Sequence, residues 1–120
     1  MRLADEPWSP RDATENIREM SKHPAFSIAY KLHAKERLRD RGMILPDVLF
    51  LLRTGFVLTE ARPAKTNGYF RYEMQGVTPN SERRKICCVV IPNYKQCSLK
   101  VVTVMWLDEE EKRSGTIIGL

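Results

Sequence analysis

Residues 27–58 read SIAYKLHAKERLRDRGMILPDVLFLLRTGFVL, and the reading of this stretch decides the fold. From Ser27 to Arg41 the composition and spacing predict a central helix. Positions four apart on a helix share a face. His33, Arg37 and Arg41 therefore form one stripe, an imidazole followed by two guanidiniums. Ile28, Leu32 and Leu38 fall off that stripe and are expected to face a core. Gly42 comes next, where a helix ends most easily on a residue that tolerates positive φ. A second, more apolar helix is predicted to start at Pro46, a residue suited to a first helical turn, with Asp47 near the positive end of the helix dipole. It runs through Val48–Arg53 and stops near Gly55.

Outward from there, residues 1–10 read as a flexible lead-in from which Trp8 alone is expected to dock. Ser9-Pro10 caps a helix over Asp12–Lys22 whose Ala13, Ile17 and Met20 share an apolar face, and His23-Pro24 stops it. After Gly55 the pattern changes from helical to alternating. Strands are expected at Phe56–Ala61, Tyr69–Gln75, Arg83–Ile91 and Leu99–Leu107, with a tight Asn67-Gly68 turn after the first. On the second strand Phe70, Tyr72 and Met74 share one face, and Tyr69, Arg71, Glu73 and Gln75 the other. The third and fourth strands are apolar on both faces, as central strands are. Helices followed by strands argue an α+β domain over residues 11–107. Its two to three N-terminal helices pack on one face of a twisted four-stranded antiparallel sheet. Residues 108–120 read as a charged, solvated C-terminal tail.

The chain has 120 residues, 42% of them hydrophobic and 29% charged, which is enough for one domain with one core. A net charge of +5 and a pI near 9.3 are a modest hint of an anionic partner, nucleic acid before membrane, while on charge alone the preferred reading is a soluble protein that happens to be basic. No run approaches the ~18 apolar residues that span a bilayer, and the charged N-terminus lacks the apolar core of a secretion signal, so a cytoplasmic protein is expected. Cys87, Cys88 and Cys97 have no metal-binding spacing and are expected as reduced thiols. His23 and His33 lack local zinc-ligand partners, and no phosphate-cradling glycine loop occurs. No cofactor is expected.

A His-Arg-Arg stripe is suited to phosphate. Guanidinium matches phosphate oxygens in bidentate fashion, and imidazole gives or takes a proton near neutral pH. These are the parts that RNA cleavage without a metal requires: a base for the 2′-OH, fixed cations for the developing charge, and an acid for the leaving oxygen. His33, Arg37, Arg41, Tyr72 and Thr103 are the candidate catalytic residues. Arg71, Arg83, Arg84 and Lys85 are candidate phosphate or RNA contacts. Plainer readings stand beside these. His33 is a structural histidine, Arg37 and Arg41 a solvated face paired with Glu36, Asp40 or Asp47, Thr103 an ordinary strand residue, and Arg83-Arg84-Lys85 an exposed strand end. Arg71 and Tyr72 are neighbours on one strand, so only one of them faces a given site.

The succession Trp8-Ser9-Pro10, His33-Ala34-x-x-Arg37-x-x-x-Arg41-Gly42, Leu52-Arg53-x-Gly55, Arg71-Tyr72 and Val101-Val102-Thr103-Val104 resembles a bacterial domain of unknown function with an HAxxRxxxR helix. That group looks related to the small RelE-like and BrnT-like ribonuclease toxins. The resemblance implies a RelE-like fold, cleavage of RNA (ribosome-associated mRNA among the substrates) and inhibition by a cognate antitoxin protein. It carries His33, Arg37 and Arg41 onto the helix motif, Arg71 and Tyr72 onto a strand motif, and Thr103 onto the last strand. The expected function is a metal-independent endoribonuclease of the toxin–antitoxin type. The alternative is a non-catalytic RelE-like module that binds RNA or a protein partner.

Overall fold

Ser9 opens the first helix as the sequence predicts. Its hydroxyl accepts from the Asp12 amide at 3.1 Å, and α1 runs Pro10–Lys22 until His23-Pro24 ends it. This computed structural model describes residues 5–108 of the chain. Ala13, Ile17 and Met20 are buried, so the apolar face of α1 is the one read from its spacing.

The central helix is divided. Ser27–Tyr30 is a strand, β1, and only Leu32–Asp40 is helical, as α2. The reason is long-range. β1 lies parallel to residues 98–101, with Ser27 opposite Ser98 and Tyr30 opposite Val101, so pairing with a distant strand overrides local helical spacing. On α2, Ala34 and Leu38 are buried, whereas Leu32 stays 74% exposed rather than facing the core. Gly42 ends the segment at φ +69°, the left-handed conformation expected of it. α3 spans Leu45–Thr54, one residue earlier than Pro46, and buries Val48, Leu51 and Leu52.

α1 and α3 hold each other by their ends. Arg18 donates to the carbonyl oxygens of Thr54 and Gly55, both at 2.9 Å, and its guanidinium lies over the Phe56 ring. Arg53 donates to the Ser21 carbonyl at 3.2 Å. Each arginine thus satisfies carbonyls left without a partner at the other helix's C-terminus.

The sheet has six strands in place of the expected four, and it is mixed. β2 (Phe56–Val57), β3 (Arg62–Pro63), β4 (Phe70–Gly76), β5 (Ile86–Asn93) and β6 (Ser98–Trp106) pair antiparallel, and β1 joins β6 parallel. The order is β1-β6-β5-β4-β2, with β3 also on β4. Of the single strand expected at 56–61 only Phe56–Val57 forms, as β2, and the short β3 follows it at Arg62–Pro63, outside the expected range. In the hairpin that follows, only Gly68 takes a positive φ, of +90°, so the turn is not the two-residue Asn-Gly type.

Register fixes two faces. Met74, Cys88 and Val104 stand in one row across β4, β5 and β6, and Tyr72, Val90 and Val101 in another. These residues are buried in one core with side chains from all three helices. Glu73, Val89 and Thr103 form the row between, and point to the opposite face. The register shifts between Val89 and Val90, which face Thr103 and Val101, so Val102 is an extra residue with none opposite it.

Candidate functional site: a cationic cleft on the open sheet face

β1 stops pairing at Val101, and the chain turns there into α2, the Lys31 amide donating to the Val101 carbonyl at 3.0 Å. Because β1 and β6 run in the same direction, α2 continues alongside the rest of β6. Ala34 and Leu38 turn toward the core, and the His33-Arg37-Arg41 stripe turns toward the open sheet face. There His33, Arg37 and Arg41 form one wall of a cleft of about 230 Å³ whose floor is Val102, Thr103 and Met105. Thr103 and the helix stripe, 62 residues or more apart in sequence, are thus brought together.

Within the wall, Arg37 Nε donates to His33 Nε2 at 2.9 Å. An accepting Nε2 carries the imidazole lone pair, which leaves the ring proton on Nδ1. The two residues are i and i+4 on α2, so the contact follows from the helical repeat alone. His33 is exposed, and Arg37, Arg41 and Thr103 are half-buried at the cleft.

Tyr72 does not belong to this site. It is 1% exposed and lies on the core face. Its ring stacks on Trp8 at 5.4 Å, its hydroxyl accepts from the Trp8 amide at 3.0 Å, and it donates to Glu6 Oε2 at 2.9 Å. Burial pushes the Tyr72 hydroxyl well above the usual tyrosine range, and burial likewise raises the Glu6 carboxyl. The part of the lead-in that is described, residues 5–10, is anchored through Trp8, as expected of that residue alone. Arg71, the other member of the pair, points to the open face and lines two depressions beside the cleft.

Arg83, Arg84 and Lys85 precede β5 rather than begin it, and none of them lines the cleft. Arg84 pairs with Asp108 at 3.1 Å and lies 4.2 Å from the Trp106 ring centre, on the core side of β6. Arg83 takes φ +69° in the turn. Asp108 is thus part of an ion pair rather than simply solvated. The rest of the expected tail, 109–120, lies outside the described residues.

Two carboxylates sit across the sheet from the helix stripe. Glu60 and Glu73 line a depression with Arg62 and Arg71 that shares Thr103 and Met105 with the cleft, and Arg62 pairs with Glu73 at 3.4 Å. Among the described residues no three His, Cys, Asp or Glu side chains gather as metal ligands, and no helix is long and apolar enough to cross a membrane. Cys87, Cys88 and Cys97 form no disulfide among the described residues, and burial raises the Cys88 thiol far above its ordinary range.

Fold and cleft together define a small α+β domain whose open sheet face carries a basic, imidazole-bearing groove. Residues 30–106 match the family model described as a domain of unknown function, DUF4258, and the chain belongs to that family. The match begins at the end of β1 and closes with β6, so it contains every residue of the cleft and leaves α1 outside. No curated protein and no solved structure matches the chain.

Proposed function

We propose that this protein is a metal-independent endoribonuclease of the toxin type, related to the RelE-like and BrnT-like ribonucleases. One observation carries the reading: an imidazole, two guanidiniums and a hydroxyl, from elements far apart in sequence, line a single cleft. In this mechanism a substrate phosphate enters between Arg37 and Arg41 and draws the Arg37 guanidinium off His33. That frees the Nε2 lone pair and delivers positive charge to phosphorus in one movement. His33 takes the ribose 2′-OH proton, the 2′-oxygen bonds to phosphorus, and the P–O5′ bond breaks. The departing 5′-oxygen receives the proton that His33 took. The products are a 2′,3′-cyclic phosphate and a 5′-hydroxyl. The arginines stabilise the charge that builds on the phosphoryl oxygens, and Thr103 donates from the floor. A cognate antitoxin would act by covering this face.

The test is RNA cleavage by the purified protein in excess EDTA, wild type beside His33→Ala, on free RNA and on translating ribosomes. Cleavage that leaves cyclic phosphate ends and drops at least about 100-fold in His33→Ala is the expected result. Equal cleavage by both proteins overturns the assignment of His33. The second reading, a non-catalytic RNA- or protein-binding module, draws on the Arg37–His33 contact itself, which occupies the imidazole lone pair. It predicts no turnover, and loss of binding in Arg37→Ala.

A further inference from the structure

A second cavity on the open face adjoins the cleft. It encloses about 460 Å³, bounded by β1, the N-terminal half of β6, and the hairpin loop before β4. That size suits one small ligand or one nucleotide unit. Its charge is one-sided. Lys31, Lys65, Arg71 and Lys100 line it, and no carboxylate does. Among the described residues none of the four has an ion-pair partner, and all four are exposed.

The sheet register explains the concentration of charge. Lys100 stands opposite Ile91 on β5, Arg71 is next to Tyr72 and so falls beside Ile91 on β4, and Arg71 stands opposite Arg62 on β3. Cations therefore form a row across the strands, with Ile91 between them. Half-buried Tyr69 and Ile91 add an apolar and aromatic surface, and the loop carrying Lys65 is held by the Ala64 amide on the Tyr69 carbonyl at 2.9 Å.

This cavity and the cleft are contiguous. Val102 lines both, and Val102 is the extra residue of the β6 bulge. The bulge sits where the two depressions meet, and bulges bend the strand that carries them. A surface of cations with one aromatic ring, continuous over the length of a strand, is what an extended single-stranded polyanion requires. The phosphates meet the cations and a base lies against the ring.

We infer that the Lys31–Lys65–Arg71–Lys100 cavity is the seat of the nucleotide flanking the one held in the His33 cleft, taking its phosphate and base from single-stranded RNA. The inference rests on the nuclease reading for the neighbouring nucleotide held in the His33 cleft, and binding can be measured without cleavage. Substrate choice would then depend on the chain's length and on the base placed beside Tyr69.

The probe is a fluorescein-labelled oligoribonucleotide of about eight residues, 2′-O-methylated throughout so that it cannot be cut, followed by anisotropy over a salt series. The variants are Lys31→Ala/Lys100→Ala and, as a control of equal charge loss away from the groove, Arg83→Ala/Lys85→Ala, each checked for folding. Each phosphate of a single strand that is no longer neutralised lowers the slope of log K against log salt by about 0.7. The groove pair should lower it by about 1.4, twice that amount, and weaken binding at least about tenfold at low salt, whereas the control pair should leave the slope unchanged. A slope unchanged in Lys31→Ala/Lys100→Ala, or no binding of the probe by wild type, overturns the inference. So does tighter binding of a free nucleoside triphosphate than of the oligomer, abolished in the same pair, which would make the cavity a nucleotide site. Cleavage in EDTA fails or succeeds independently of all three, so the fate of the nuclease reading is read separately.

Discussion

Tyr72→Phe removes one oxygen and separates two roles for this tyrosine. The hydroxyl is buried with its ring and serves two partners, accepting from the Trp8 amide at 3.0 Å and donating to Glu6 Oε2 at 2.9 Å. Phenylalanine keeps the 5.4 Å stack on Trp8 but deletes the oxygen that accepts from the Trp8 amide and donates to Glu6. Each lost hydrogen bond is worth about 0.5–1.5 kcal/mol, and more where the partner is charged. A destabilisation of about 2 kcal/mol is expected. With an unfolding entropy of about 2.1 cal/mol/K per residue, that lowers Tm by roughly 8 °C for a chain of this length. Thermal and urea denaturation followed by tryptophan fluorescence would measure it, since Trp8 reports on the stack directly. RNA cleavage well below Tm should stay within about twofold of wild type, against the 100-fold or greater loss expected of a proton-transferring group. A stability change under about 0.5 kcal/mol would refute the network as the anchor of Trp8. A tenfold fall in cleavage at unchanged stability would refute the placement of Tyr72 outside the site.

Gly55→Ala should destabilise the domain by at least about 1–3 kcal/mol in urea denaturation, because the added Cβ would meet two backbone oxygens, of Gln75 and Leu51, at 2.7 Å. Asp47→Ala should cost about 2–4 kcal/mol by the same measurement. Its carboxylate accepts from the Ile44 amide at 3.0 Å, the Thr78 hydroxyl at 2.8 Å and Asn80 at 3.1 Å, and so ties the start of α3 to the loop after β4. Asp47→Asn, which keeps one accepting oxygen, should be destabilised by roughly half as much.

The features legible in the sequence are local ones. Ser9 and Pro10, Pro24, Gly42, Pro46 and Gly55 mark helix ends through the conformations those residues prefer, and the helix boundaries follow them closely. The His33–Arg37 pairing is equally local, being set by helical repeat. Sequence misleads where a partner far along the chain decides. Ser27–Tyr30 carries helix-compatible spacing but is claimed by β6, and nothing within the four residues names that partner. The choice between Arg71 and Tyr72 rests on strand parity, which says that they differ and not which one faces inward. Only the row Tyr72–Val90–Val101 in the core settles that. Lys31, Lys65 and Lys100 are invisible as a group because hairpin, edge strand and last strand meet only after folding. Lys100, a lone cation in an apolar strand, is the one sign of it in the sequence.

The parallel pairing of β1 with β6 has a consequence for the protein as it is made. Ser27 waits for Ser98, about 70 residues later, and α2 leans on the second half of the same last strand. Closing so long a loop is slow compared with forming a helix or hairpin. α1, α3 and the β4–β5 hairpin can associate on an emerging chain, but the wall and floor of the cleft meet only when residues 98–106 are out. A nascent chain therefore holds His33, Arg37 and Arg41 on a helix with no floor beneath it. If RNA is the substrate, no complete cleft exists to act on the encoding message until residues 98–106 have been made.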